Sequence, residues 1–157
     1  MLRTIASLVV CLMIAGSVWA AGGDEIKVPT PKPGQTPSLS GEARYNEGLA
    51  CAEKHDWARA EQAYREAIDL KPNLAEAWNG LGHALKMQGK FEDAFIAYDE
   101  ALRLRPDFPL ALEYLGEAYV LVGRMDDARS LLDRLQPLDT KLADQLASAI
   151  RAGAHSW

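Results

Sequence analysis

From residue 41 to residue 152, apolar residues recur every three or four positions, the spacing of the buried face of an α-helix. Gly89 and the prolines Pro72 and Pro106 interrupt this pattern at points where helices commonly stop. Asn73 and Glu76 have the spacing of a capping box at the start of one segment. The pattern predicts seven antiparallel helices, over 42–54, 57–70, 75–88, 91–105, 108–122, 125–135 and 140–152.

The chain also repeats itself at an interval of 34 residues. Each period contains two of the predicted helices. A fixed period of this length is typical of a stacked helical array, in which each unit buries its apolar face only against its neighbours. The matching positions are Gly48, Gly82 and Gly116; Ala60, Ala94 and Ala128; Tyr64 and Tyr98; and Pro72 and Pro106.

The repeat resembles the tetratricopeptide repeat family, and the middle unit carries nearly all of that signature. The resemblance implies an all-α fold, a right-handed superhelix of three helix hairpins over residues 41–74, 75–108 and 109–140. A capping helix and tail follow over 141–157. The residues that carry the signature in the middle unit are Trp78, Leu81, Gly82, Leu85, Ala94, Tyr98, Ala101 and Pro106.

Small residues at two places in each repeat predict that the two helices of a hairpin cross closely. We expect Gly48, Gly82 and Gly116 to lie against Ala60, Ala94 and Ala128, respectively. Gly80 has no such explanation, because its counterparts in the other repeats are Asn46 and Tyr114. If Gly80 faces a groove, its missing side chain would let a ligand approach the backbone. The remaining residues predicted to pack are Tyr64, Tyr98, Trp78, Pro72 and Pro106.

The resemblance also implies a concave face that is lined by the first helix of each repeat and binds a peptide or protein. Family members that bind the carboxylate of a chaperone tail use a clamp of lysine, asparagine and arginine. This chain lacks that clamp, since Tyr45, Leu49, Gly80, Leu110 and Tyr114 occupy the corresponding places. Glu113 and Glu117 lie one helical turn apart and could receive a lysine or arginine of a partner. The predicted groove residues are Tyr45, Leu49, Asn79, His83, Lys86, Glu113, Tyr114 and Glu117.

Catalytic and cofactor chemistry finds little support in the sequence. The Gly-x-Gly at residues 80–82 follows no strand and has Leu85 in place of a third glycine, so it does not form a nucleotide fingerprint. No nucleophile motif or Cys-x-x-Cys pair occurs, and we expect Cys51 to be an inert buried thiol. His83, Glu113 and Glu117 are too few firmly placed ligands to predict a metal site. We therefore expect no enzyme activity, no cofactor and no metal.

The charge balance argues against nucleic acid as a partner. The formal net charge is −5, and acidic and basic residues alternate along the predicted helices. Nucleic-acid binding requires a concentrated cationic surface to neutralise phosphates.

The first forty residues differ from the rest. Arg3, the apolar run at 5–14 and Val18-Trp19-Ala20 are typical of a secretory signal peptide over residues 1–20. The alternative is an uncleaved membrane tether, because residues 4–23 carry no charge. Four prolines in residues 21–40 indicate a semi-extended linker.

Together the sequence predicts an exported, periplasmic scaffold that binds a partner protein in a cell-envelope assembly, secretion or maturation system. The alternative is a structural module that forms homo-oligomers through the ends of its repeats.

Overall fold

A computed structural model describes residues 40–153 of the protein. The predicted signal peptide, nearly all of the linker and residues 154–157 of the tail lie outside the described residues. Within the described range, no helix is both long and apolar enough to cross a bilayer.

Residues 40–153 form the seven predicted helices and no strand. Every helix boundary lies within about one residue of the position expected from the hydrophobic pattern. The helices are α1 (Gly41–Glu53), α2 (Trp57–Leu70), α3 (Ala75–Met87), α4 (Phe91–Leu104), α5 (Pro109–Leu121), α6 (Met125–Leu135) and α7 (Thr140–Gly153).

The helices form three consecutive hairpins, α1–α2, α3–α4 and α5–α6, and α7 closes the array against α5 and α6. This arrangement confirms the predicted all-α repeat superhelix. Its core runs without interruption from α2 to α7. The largest side chains that are fully buried are Tyr64, Leu85, Tyr98, Leu112, Leu135 and Leu146.

The turns inside the hairpins share one backbone conformation. His55, Gly89 and Gly123 occupy the same repeat position, and their φ angles are +58°, +74° and +79°. Glycine adopts this left-handed region freely, whereas a residue with a Cβ is strained there. The first repeat therefore places a histidine where the other two repeats have the favoured residue.

The predicted capping box of α3 is wrong. Leu74 is the N-cap residue of α3, and within residues 40–153 no side-chain cap bond forms at this helix start. The Glu76 carboxylate instead pairs with Arg105, the residue that follows α4. Side-chain caps occur on α1, where Ser40 accepts from the Ala43 N–H at 3.1 Å, and on α2, where Asp56 accepts from Arg59.

The glycines at the shared repeat position permit close approach between helices, but the side chains nearest to them differ from those predicted. A Cβ on Gly48 would lie 2.5 Å from the ring of Tyr64, and one on Gly82 would lie 2.7 Å from the ring of Tyr98. Thus the glycines leave room for tyrosine rings of the second helix and do not make their closest approach to Ala60 and Ala94. The third glycine, Gly116, faces Leu146 of α7 at 2.6 Å.

The same geometry explains Gly80. A Cβ at Gly80 would lie 2.7 Å from the ring of Tyr64, on α2 of the preceding repeat. Gly80 therefore faces the interface between the first two repeats, and the expectation that it opens the backbone to a ligand is wrong. The ring of Tyr64 lies between two glycines, Gly48 on α1 and Gly80 on α3.

The other residues of the predicted packing set occupy two kinds of environment. Ala60, Ala94 and Ala128 are fully buried. Trp78 is half-buried, and its Nε1–H donates to the carbonyl of Pro72 at 2.8 Å. Pro72 and Pro106 lie exposed in the turns between repeats, so they contribute through the geometry of the turn and not by packing in the core.

Candidate partner-binding surface

The first helices of the three repeats form the inner side of the array. Helix α1 contacts α3, and α3 contacts α5, whereas no contact joins α2 to α4 or α4 to α6 within the described residues. Helices on the inside of a superhelix approach one another, and those on the outside diverge. We call the face of α1, α3 and α5 that looks away from the second helices the inner surface.

Five of the predicted groove residues come together on α3 and α5. The rings of His83 and Tyr114 stack with centroids 4.6 Å apart. The Lys86 Nζ lies 4.8 Å from the centroid of Tyr114 and donates to Glu117 Oε2 at 2.6 Å. We call this set, which also includes Glu113 one helical turn before Glu117, the groove cluster.

Several side chains on this face are more buried than those that line an open groove. Lys86 and Glu113 are 7% and 4% exposed, and Asn79, predicted to line the same face, is 5% exposed. These three are buried polar residues, which corrects the expectation that they lie open to a ligand. His83, Tyr114 and Glu117 are half-buried and form the accessible part.

The electrostatics of Glu113 follow from this burial. Burial raises the pKa of Glu113 to about 7, and the negative charge of Glu117 together with a hydrogen bond between the two carboxyl groups adds to the rise. Lys86 opposes the shift only weakly, because its ion pair is with Glu117. The Glu113 carboxyl therefore gains and loses its proton near neutral pH.

Three buried polar atoms at this place have no hydrogen-bond partner among the described residues. They are Asn79 Oδ1, Tyr98 Oη and Glu113 Oε2. Asn79 and Glu113 occupy the same position in successive repeats, and the charges of Glu113 and Glu117 act on the Tyr98 hydroxyl. A buried polar atom without a partner costs about 1–3 kcal/mol, so this set favours a donor group that would satisfy it.

A row of rings leads from the first repeat to the groove cluster. The ring centroid of Trp57 lies 5.5 Å from that of His55 and 5.4 Å from that of His83. The ring of His83 in turn stacks on Tyr114. We call these four residues the aromatic row. Burial lowers the pKa of His83 to about 4, and the charge of Lys86 contributes, so the imidazole is neutral at pH 7.

The sequence did not identify Trp57 and His55 as part of this surface. Trp57 begins α2, and the resemblance assigns second helices to the outer side of the array. The sequence nevertheless contains an indication of this role, because Trp57 directly follows the turn and can reach the end of α3. The position of a ring at a helix start depends on the crossing of two hairpins, which spacing along the chain does not reveal.

The two predicted groove residues on α1 have different environments. Tyr45 is half-buried, and its ring lies 5.9 Å from that of Tyr64. Leu49 is 39% exposed. Neither residue contacts the groove cluster through a ring or polar interaction among the described residues, so they extend the inner surface toward the first repeat.

Other carboxylates on the first helices of the repeats are neutralised by cations. Glu42 pairs with Lys71, and Glu76 pairs with Arg105, one repeat later at the same two positions. Glu117 pairs with Lys86. Glu113 alone of these four carboxylates forms no ion pair within residues 40–153.

The described residues do not arrange three or more histidine, cysteine or acidic side chains in a way that would hold a metal ion. This includes the combination of His83, Glu113 and Glu117. Cys51 is a free, half-buried thiol, so it is less buried than expected.

Two family models match the chain. The model described as tetratricopeptide repeat matches residues 75–108, and a second model, described as TPR repeat, matches residues 48–89. No curated protein matches the chain at a significant level.

Solved structures with a similar fold are tetratricopeptide domains. The TPR2B-domain:pHsp70 complex of yeast Sti1 is 23% identical, with a TM-score of 0.70, over 76% of this chain and 100% of that one. The TPR2AB-domain:pHSP90 complex of yeast Sti1 is 25% identical, with a TM-score of 0.67, over 71% of this chain and 46% of that one.

The first TPR of Spaghetti (RPAP3), bound to the HSP90 peptide SRMEEVD, is 18% identical with a TM-score of 0.67. The match covers 74% of this chain and 95% of that one. Residues 48–108 thus match the tetratricopeptide repeat family, whose fold is typically a scaffold for protein interactions, and residues 40–153 have the fold of its repeat domains.

Proposed function

We propose that the protein is a non-catalytic adaptor that binds a segment of another protein along the inner surface. The observation that carries this proposal is the combination of partly exposed rings and unpartnered polar atoms on one face. His83 and Tyr114 present apolar area, and Asn79 and Glu113, buried on the same two helices, have acceptor atoms without a partner among the described residues. Apolar anchors with a few directed polar groups are what recognition of a peptide requires.

The similar solved structures support the choice of a peptide as the ligand. One of them is a pHsp70 complex, and another is bound to the HSP90 peptide SRMEEVD. The inner surface of the present chain has Tyr45, Leu49 and Tyr114 at places where the family clamp for a terminal carboxylate has polar or cationic residues. We therefore propose binding of a peptide segment, but of different chemistry from an acidic tail.

We further propose that the adaptor is exported and serves a cell-envelope assembly, secretion or maturation system. This rests on the signal-peptide pattern of residues 1–20. Fractionation of the host and sequencing of the mature N-terminus test it. We expect the protein in the envelope fraction, with a mature N-terminus near residue 21. An uncleaved chain in the cytosol would contradict this proposal.

Self-assembly through the ends of the array has less support. The residues of α7 that face solvent at the C-terminal end include Lys141, Asp144, Gln145 and Ser148, and all are exposed. A polar outer face is expected of a repeat that ends an array, because it has a neighbour on one side only.

Site-specific photo-crosslinking in the host tests the use of the inner surface. A photoreactive residue at Leu49 lies on the inner surface, and one at Ile96, 65% exposed on α4, serves as the matched control on an outer helix. We expect a discrete adduct from position 49 that is absent from position 96. Adducts from position 96 alone, or equal adducts from both, would contradict the proposal.

A further inference from the structure

The polar atoms of the inner surface that lack a partner among the described residues belong to two residues, Glu113 and Asn79. Glu113 is the one carboxylate of its group without an ion pair within residues 40–153, and its Oε2 atom has no hydrogen-bond partner there. The buried side chain of Asn79 on the adjacent helix leaves its own acceptor, Oδ1, unpartnered. Two acceptors without a partner among the described residues thus occupy equivalent positions of α3 and α5.

This chemistry excludes an anionic ligand and favours a cationic donor. A carboxylate or phosphate would face Glu113, Glu117 and the Asn79 oxygen, with Lys86 already paired to Glu117. A lysine or arginine side chain supplies both the positive charge and the N–H donors that these atoms lack. The ring of Tyr114 already stacks on His83 and lies 4.8 Å from Lys86 Nζ, so it offers apolar contact to the aliphatic stem of such a side chain.

Resting on the proposed function, we infer that the partner segment carries a lysine or arginine side chain, and that Glu113 receives it with Asn79 and Glu117. Glu117, half-exposed, lies at the entrance, and Glu113 lies one helical turn away in a more buried position. A long aliphatic stem can follow the rings of the groove cluster while its charged end reaches the buried carboxyl.

Binding of the cation is coupled to a proton. The groups that face Glu113 are Glu117 on its own helix, Tyr114 beside it, Lys86 on α3 and Tyr98 on α4. Near neutral pH the Glu113 carboxyl is partly protonated, and a bound cation takes the place of that proton. Affinity is therefore expected to rise as the pH increases toward and just above 7, and each binding event below that range releases a proton.

Selection from a random library of heptapeptides with blocked termini tests this inference on the full chain. Wild type is compared with Glu113→Gln, which keeps the shape and removes the charge, and with Glu92→Gln, an exposed residue of α4, as a matched control. We expect lysine and arginine to be enriched at one position in wild type and E92Q. Replacement of that residue by glutamine should weaken binding about tenfold in wild type and less than threefold in E113Q.

The outcomes separate this inference from the proposed function. Peptides that bind without enrichment of a basic residue, and compete with one another on the inner surface, would overturn the inference and leave the adaptor function standing. Failure of every peptide to bind would overturn both. Calorimetry in phosphate and Tris buffers counts the protons released on binding and gives a second readout. We expect proton release below pH 7 in wild type and none in E113Q. Proton release retained in E113Q would contradict the role of Glu113.

Discussion

The two junctions between repeats differ at the position held by Gly80 and Tyr114, and that difference changes what the inner surface presents. At the first junction the ring of Tyr64 lies between Gly48 and Gly80. At the second, Tyr98 lies against Gly82, but the counterpart of Gly80 is Tyr114, whose ring centroid is 6.4 Å from that of Tyr98. A position used for close packing in one repeat therefore supplies a recognition residue in the next.

The outer edges of the same junctions show a second exchange. Lys90 pairs with Glu61 at 2.8 Å between the first and second repeats. One repeat later the same two positions hold Arg124 and Phe95, with the guanidinium 5.6 Å from the ring centroid. An ion pair and a cation–π contact thus occupy equivalent positions, which shows that the repeat fixes geometry while leaving the chemistry free to vary.

The largest expected effect comes from making the first junction like the second. Gly80→Tyr would place a Cβ 2.7 Å from the ring of Tyr64, so the two helices would have to separate. We expect a loss of about 3 kcal/mol or more in the free energy of unfolding, at the upper end of the range for overpacking. Denaturant unfolding measures it, with Tyr114→Gly as the reciprocal change. A Gly80→Tyr protein as stable as wild type would refute the packing role.

The pH dependence of stability separates the two titrating residues of the second junction. Raising the pKa of Glu113 to about 7 gives stability that is present at low pH and lost as the pH rises from about 4.5 through 7. Lowering the pKa of His83 to about 4 gives stability that is present above about 6.5 and lost as the pH falls through 4. The two effects oppose each other between pH 4.5 and 6.5.

Single variants therefore reveal what the wild type conceals. Glu113→Gln should make the melting temperature rise more steeply from pH 4.5 to 7, and His83→Gln should make it fall over the same interval. Thermal unfolding in a pH series of constant ionic strength measures both. Parallel curves for the two variants would contradict the assigned titrations.

A smaller effect is expected from the two tyrosines that the junctions enclose. Tyr98→Phe removes a buried hydroxyl without a partner in the described structure and should stabilise the protein by about 1 kcal/mol. Tyr64→Phe is the matched change at the first junction, where the hydroxyl is not among these unpartnered atoms, and should give no such gain. A loss of stability in Tyr98→Phe would show that the hydroxyl has a partner.

An effect of similar size concerns the left-handed turn that precedes α2. His55→Gly gives the first repeat the residue found in the other two and should stabilise it by about 1 kcal/mol, because the strain at φ +58° is relieved. Gly89→His is the reverse change in the second repeat and should destabilise by a similar amount. Chemical unfolding compares the pair, and equal signs for the two changes would be inconsistent with backbone strain.

The fold was largely predictable because its determinants are local and repeated. Helical spacing and the 34-residue period placed every helix to within about one residue. The capping of α3 was not predictable in this way, because the Glu76 carboxylate pairs with Arg105, a residue 29 positions later. That pairing depends on how one repeat stacks on the next.

The candidate surface was less predictable than the fold. The sequence located His83, Tyr114 and Glu117 on one face, yet it could not show that Asn79, Lys86 and Glu113 are buried there. Burial depends on the distance between α3 and α5, which a residue pattern on either helix does not contain. For the same reason, only the packed structure revealed that Gly80 faces Tyr64.

Mapping of a bound peptide by NMR tests the central claim most directly. Backbone amide shifts of the protein are followed as a lysine-containing peptide from the library selection is added. We expect the largest shifts on α3 and α5, at His83, Tyr114 and Glu117, and we expect them to shrink markedly when the peptide lysine is replaced by glutamine at an equal, subsaturating concentration. Largest shifts on α2, α4 or α6 would contradict it.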